Sequence, residues 1–335
     1  MRFKYNLIFL VILCTGCAPF CKKKAEFNSA LNDPHFQAAL QPYTIQVVAP
    51  ASGVDLDEVN ALQSLKSLNI QIPRNLISNA ITFHSNSDHE RFRLLKKALI
   101  SHQKNDIIWC LRGGYGSARI IDKLKTLPKP KTNKLFIGYS DITALHLFLS
   151  EHWGWKTVHG SVLVEILNSN KDPKNFYKLA DIISRNVTEL TLEPLKPLNN
   201  LAMKSTKVSG RLTGGNLSIV QTSLGTDWQI KAAKKILFLE EVGEKGYQID
   251  RSLNHLKQSG ILNQTKAIVF GDCVDCKEDA FLALEWFSAE TKIPVFKTEQ
   301  FGHGKVNYPM VYNIKAEIVP IKDTKDFTLI MYLKD

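Results

Sequence analysis

A chain of 335 residues exceeds one ordinary compact core and suits two domains of about 150 residues each. Its 44% hydrophobic and 22% charged content excludes a largely disordered polymer. The formal net charge of +11 is front-loaded, because Arg2, Lys4, Lys22, Lys23 and Lys24 meet no acid in that leader; the rest is mildly basic without a cationic stripe, which excludes nucleic acid as a partner.

Residues 1–24 do not read as part of a fold. Arg2 and Lys4 precede the apolar run 7–13, and the small residues Thr15, Gly16, Cys17 and Ala18 follow. This is the layout of a bacterial secretory signal, too short for a permanent transmembrane helix. Thr-Gly-Cys is similar to the end of a lipobox and makes Cys17 the expected lipidation site, although Cys14 stands where a leucine is usual. The expectation is a protein on the periplasmic side of a bacterial membrane, lipid-anchored, with residues 25–42 as a flexible spacer. A cleaved periplasmic form and an uncleaved cytoplasmic form are the alternatives.

From residue 43 to 165, strand-like and helix-like segments alternate, the pattern of an α/β domain with a largely parallel sheet. A strand over 44–48 ends in the loop Ala49-Pro50-Ala51-Ser52-Gly53. Helical spacing covers 56–68, a short strand covers 70–72, and an amphipathic helix covers 89–103. The buried strand 106–111 leads into Arg112-Gly113-Gly114-Tyr115-Gly116, after which Ser117 is placed to cap a helix through Leu124. A strand over 134–139 runs directly into Ser140, Asp141 and a helix over 142–151. Residues 166–207 carry no chemical motif and read as a connector. The second domain, 208–335, opens with a turn-rich loop over 209–215 and strands over 236–239 and 266–270. Helices follow at 250–258 and 279–289, and the tail from 311 to 334 alternates like antiparallel strands.

Cys110 sits in an apolar run, and Cys273 and Cys276 form a C-x-x-C whose redox state stays open. The pair lacks both a thioredoxin-type helix and a second ligand pair for zinc.

Three places carry chemistry, each at a strand end. Ser140 lies at a strand-to-helix elbow, which lifts a side chain to the carboxyl edge of a parallel sheet, and the Asp141 amide at the helix start suits an oxyanion. The competing reading is a helix cap, because Gly-Tyr-Ser-Asp lacks the second glycine of G-x-S-x-G. The glycines after Arg112 allow close backbone approach to a ligand, in neither a P-loop nor a Rossmann register; a plain tight turn is the alternative. In the second half, Glu240, Glu241 and Glu244 follow a strand, and His303 stands between Gly302 and Gly304. Neighbouring strand residues face opposite sides, so Glu240 and Glu241 are not expected to share a role.

Taken in order, VVAPASG, RGGYG-S-A-R, GYSDITALH, GGNLS, LEEVGE-x-x-Y-x-I-D-R and GHG resemble the LD-carboxypeptidase family of serine peptidases, which includes the microcin C self-immunity proteins. The resemblance covers residues 44–334. It implies a flavodoxin-like N-terminal α/β domain, a smaller β-rich C-terminal domain and a site between them. It further implies Ser140 as nucleophile, Glu240 and His303 as its partners, and oxyanion amides from Gly114 and Asp141. The implied substrate is a murein peptide cut before its terminal D-alanine, with no cofactor and no metal, in a homodimer. By chemistry, Arg112 and the helix start at Gly215 and Asn216 are candidates to bind the free carboxylate, with a purely structural role as the alternative. Two other functions stay in view: a self-immunity-type hydrolase of peptidyl or aminoacyl nucleotides, and a non-catalytic wall-peptide-binding lipoprotein.

Overall fold

A computed structural model describes residues 27–78, 83–101, 103 and 106–334; the leader-like segment with Cys17 lies outside the described residues. The chain starts its folded part not with a spacer but with a short 3-10 turn and α1 (Pro34–Leu40). Asp33 caps α1 through the Phe36 amide at 2.9 Å and Pro34 presets its first turn. Phe36, Ala39 and Leu40, spaced i, i+3, i+4, are buried, and Phe36 meets the Phe176 ring edge-on. The spacer expectation is thus corrected over this stretch.

Strands β1 (Thr44–Val48), β2 (Ile70–Gln71), β3 (Asp106–Cys110), β4 (Leu135–Gly138) and β5 (Val158–His159) form a parallel sheet in the order β5-β4-β3-β1-β2. This is the flavodoxin-like order, which gathers ligand sites at the carboxyl ends of the strands. β3 is buried at every position, as a strand covered on both faces must be. Around the sheet lie α2 (Leu56–Gln63), α3 (Asp88–Ile100), α4 (Ile121–Lys125), α5 (Thr143–His152) and α6 (Lys174–Ser184). Ser117 does not cap α4. It opens a 3-10 turn, and its amide and hydroxyl bind the Asp141 carboxylate and carbonyl at 2.8 and 2.5 Å.

The stretch expected as a connector contains β6 (Glu189–Pro197), a barrel strand whose Leu190, Leu192 and Leu195 face inward, followed by α7 (Asn200–Met203). The remainder adds β7 (Val208–Asn216), α8 (Leu217–Thr222), β8 (Lys235–Val242), α9 (Gly246–Gln258), β9 (Ala267–Val274), α10 (Asp279–Glu290) and β10 (Val295–Lys297). Next come β11 (Met310–Val311), β12 (Lys315–Pro320) and β13 (Phe327–Tyr332). All but β11 of the strands from β6 onward close a barrel in the order β10-β6-β13-β12-β7-β8-β9. β11 instead crosses back and pairs antiparallel with β5, so the second half of the chain completes the edge of the first sheet. Buried residues of sheet and barrel form one continuous apolar core. The carboxyl ends of β4 and β8 therefore face each other across a fixed seam.

Candidate active site

β4 ends at Gly138, Tyr139 is still extended, and Ser140 has φ 64°. A non-glycine residue in the left-handed region is strained, and at a strand-to-helix turn that strain presents the side chain outward. The helix-cap reading of Ser140 does not hold: Tyr139 occupies the cap position, and Ser140 begins the 3-10 turn that leads into α5. Gly113 explains how the elbow is tolerated, since a Cβ there would fall 2.9 Å from Ser140 Cβ and 3.3 Å from its Oγ. Gly114 backs onto Ser52 instead. The Gly113 carbonyl accepts from the Ser52 amide at 3.1 Å, and in a trans peptide the Gly114 N–H points the opposite way. The Asp141 amide belongs to the first turn, where backbone donors lack intrahelical partners.

His303, in the loop after β10, brings the two halves together. Its Nε2 lies 3.0 Å from Ser140 Oγ and its Nδ1 lies 2.6 Å from Glu240 Oε2. Glu240, near the end of β8, has a side chain with no exposed surface, while the His303 side chain keeps 15% of its own. Because Glu240 can only accept, Nδ1 carries the proton and Nε2 is left to accept from the serine. Burial pulls the His303 pKa down, but the charge and hydrogen bond of Glu240, helped by Glu241 and Glu165, outweigh it and raise the pKa above 6.5. Glu241 points elsewhere, accepting from Asn216 Nδ2 and from the Ser218 amide and hydroxyl. The two glutamates thus divide their roles as their positions on the strand require. Such a chain can pass the serine proton to His303 as Oγ attacks a carbonyl, then hold the imidazolium against Glu240.

Arg112 lies exposed at the wall of a polar cleft of about 290 Å³, beside Gly53 and Ser52 and one residue from Gly113. Its guanidinium donates to the Gly53 carbonyl at 3.2 Å. Gly215 and Asn216, the other candidates for the free carboxylate, lie in the seam between sheet and barrel. Asn216 donates its amide to Thr143 Oγ1 at 3.0 Å, caps α8 through Ile219 and donates its side chain to Glu241. Gly215 has φ 120°, and a Cβ would fall 2.5 Å from Thr143 and 2.7 Å from the Tyr312 hydroxyl. Gly215→Ala should therefore cost about 2–4 kcal/mol of stability, read as a lower urea midpoint; an unchanged midpoint would show that the seam can open without penalty.

Residues outside the sequence-level motifs also shape the site. Arg91, which reads as a basic residue of an amphipathic helix, is buried and donates to the Pro50 and Gly116 carbonyls, tying the loops after β1 and β3 to α3. His146, within GYSDITALH, lies under the elbow rather than in the cleft. It bridges the Gly138 carbonyl and Thr157 at 2.8 and 2.9 Å, and burial, against a smaller opposing contribution from the Gly138 hydrogen bond, lowers its pKa to about 4. Glu165, at the end of the first domain, and Lys171, in the stretch without a motif, reach the Tyr139 and His303 segments. Cys273 and Cys276 form a disulfide at the end of β9.

Comparison with known proteins gives matching descriptions for both halves: LD-carboxypeptidase N-terminal domain over residues 45–160, and LD-carboxypeptidase C-terminal domain over residues 209–318. A Rickettsia prowazekii protein named as a carboxypeptidase is 45% identical over 98% of this chain and 99% of its own length. The murein tetrapeptide carboxypeptidase of Pseudomonas aeruginosa is 28% identical over 81% of this chain and 92% of its own. The crystal structure of muramoyltetrapeptide carboxypeptidase from Oxalobacter formigenes superposes with a TM-score of 0.73 at 26% identity, covering 86% of this chain and 98% of that one.

Proposed function

The chain belongs to the LD-carboxypeptidase family and is a peptidase, and from that premise we propose that it is a serine-type LD-carboxypeptidase that removes the terminal D-alanine of murein tetrapeptides through an acyl-enzyme on Ser140. One observation carries the reading: the unbroken path Ser140 Oγ, His303 Nε2, His303 Nδ1, Glu240 Oε2, with 3.0 and 2.6 Å steps. A serine hydroxyl is a weak nucleophile near neutrality, so His303 takes its proton as Oγ attacks the scissile carbonyl. Glu240 fixes the tautomer and stabilises the imidazolium. The Gly114 and Asp141 amides are assigned to the oxyanion. His303 then protonates the leaving amine of D-alanine, and later activates the water that releases the tripeptide.

An exopeptidase must recognise a free carboxylate, and we assign this to Arg112. The cleft it walls lies one residue from the elbow glycine and is lined mostly by polar groups. Arg112→Gln should raise KM for tetrapeptide by about tenfold or more, the loss of one charged hydrogen bond, with a smaller change in kcat. An unchanged KM in steady-state assays removes Arg112 from substrate binding. The leader-like residues 1–24 support export, and a lipid anchor at Cys17 and a homodimer belong to the same proposal.

Substrate panels test the reading. Tetrapeptide ending in D-alanine should be cleaved, whereas the tetrapeptide amide and the D-Ala-D-Ala bond of the pentapeptide should not. Cleavage of an aminoacyl-sulfamoyl nucleotide with tetrapeptide untouched would replace this function by the self-immunity-type one.

A further inference from the structure

His303 stands in the loop after β10, yet several of the groups that hold this loop come from the segment leading into α6. Lys171 Nζ donates to the His303 carbonyl at 3.1 Å and to the Gly304 carbonyl at 2.8 Å, and pairs with Glu165 Oε1 at 2.9 Å. An ammonium has three protons, and these three acceptors use them all. Glu165 Oε1 also accepts from the Tyr139 hydroxyl at 2.7 Å. Tyr139 immediately precedes Ser140, and its ring packs against the His303 ring at 4.8 Å between centroids. Lys171 and Glu165 keep 13% and 10% side-chain exposure, so both charges work in a largely dry setting.

The loop is gripped further along by the same segment. The Asp172 amide and Asn175 Nδ2 donate to the Lys305 carbonyl at 3.0 and 3.1 Å, and the Asn307 amide donates to Asn175 Oδ1 at 2.9 Å. Lys171 is held in turn by its own carbonyl, which accepts from Asn28 Nδ2 at 2.8 Å. The elbow carrying the serine and the loop carrying the histidine therefore share one buried ion pair.

We propose that Lys171, paired with Glu165, is a positioning residue for the proposed reaction: it sets the distance from His303 Nε2 to Ser140 Oγ by fixing the His303–Gly304 backbone against the Tyr139 elbow. It touches neither substrate nor reacting atoms. The proposal rests on the serine reading of the site but not on the choice of substrate. A shift of about 1 Å in such a contact costs up to about a hundredfold in rate.

The test uses full-length protein and a fluorophosphonate probe, which forms a bond to the serine Oγ and expels fluoride whatever the natural substrate. The double variant Lys171→Met/Glu165→Gln leaves no buried charge unpaired. Its labelling rate at Ser140 should fall tenfold to a hundredfold, with KM for tetrapeptide within about twofold and a folded circular-dichroism spectrum. Lys171→Arg should recover a large part of the rate. Glu165→Gln alone removes one of the anions facing the ring, with Glu240 and Glu241 left in place. The acid limb of its labelling profile should therefore move to lower pH. A double variant that melts earlier but labels at the wild-type rate overturns the proposal. If the double variant does not fold, an unmoved acid limb in Glu165→Gln overturns it as well. Wild type that labels but leaves tetrapeptide intact defeats the substrate reading alone; wild type that does not label at Ser140 defeats both.

Discussion

Ser140→Ala should retain the fold and lower tetrapeptide turnover by about 10⁵-fold or more, the scale seen when a serine nucleophile is deleted. The fold survives for identifiable reasons. Ser140 Oγ hydrogen-bonds His303 Nε2, and alanine suffers the same left-handed backbone as serine at φ 64°, so the elbow gains no new strain. Gly113 still leaves room beside it. Residual activity would come from the oxyanion amides and substrate binding acting on water. Release of D-alanine by the variant at more than about a tenth of the wild-type rate would mean that water, not Ser140, attacks the peptide.

Glu240→Gln should lower kcat/KM by about 10³–10⁴-fold and move its acid limb to lower pH. In the wild type, burial lowers the His303 pKa but Glu240 overcomes it, so the net shift is upward from 6.5. The base is therefore neutral only above this raised value, and activity falls as pH drops through it. An uncharged amide removes most of the upward pull, which lets His303 stay neutral at lower pH while losing the carboxylate that holds its tautomer and stabilises its charged form. Linkage gives the sign for stability too. A histidine with a raised folded pKa stabilises the native state below about 6.5 and loses that contribution as pH rises through the folded value. In the variant, this pH-dependent part of the stability should shrink. A profile that keeps its acid limb while losing rate would assign the titration to another group.

The N-terminal sheet was legible because its strands are short, apolar and bounded by glycine loops, and five parallel strands in flavodoxin order satisfy that pattern directly. The three residues now joined by hydrogen bonds were legible only through ordered motifs, since they lie far apart in sequence and no local periodicity links Ser140 to His303. β6 was hidden by Pro194 and Pro197, which argue against a strand, although the alternating Leu190 and Leu192 were a usable signal. α1 was hidden by its brevity, yet Asp33-Pro34 followed by Phe36, Ala39 and Leu40 is a helix start with an apolar face. Arg91 and Lys171 could not be read at all. Burial of a cation depends on which carbonyls the fold brings to it, and those carbonyls belong to remote loops. The close packing of Gly215 against Thr143 and Tyr312 was equally out of reach, because both partners lie far off in sequence.

The most direct measurement is mass spectrometry of murein tetrapeptide incubated in parallel with wild type and Ser140→Ala, following both the peptide and the intact protein. Tripeptide and free D-alanine are expected with wild type only, together with a transient tripeptidyl adduct on Ser140. Equal turnover by both forms, or binding of tetrapeptide without turnover by wild type, would contradict it.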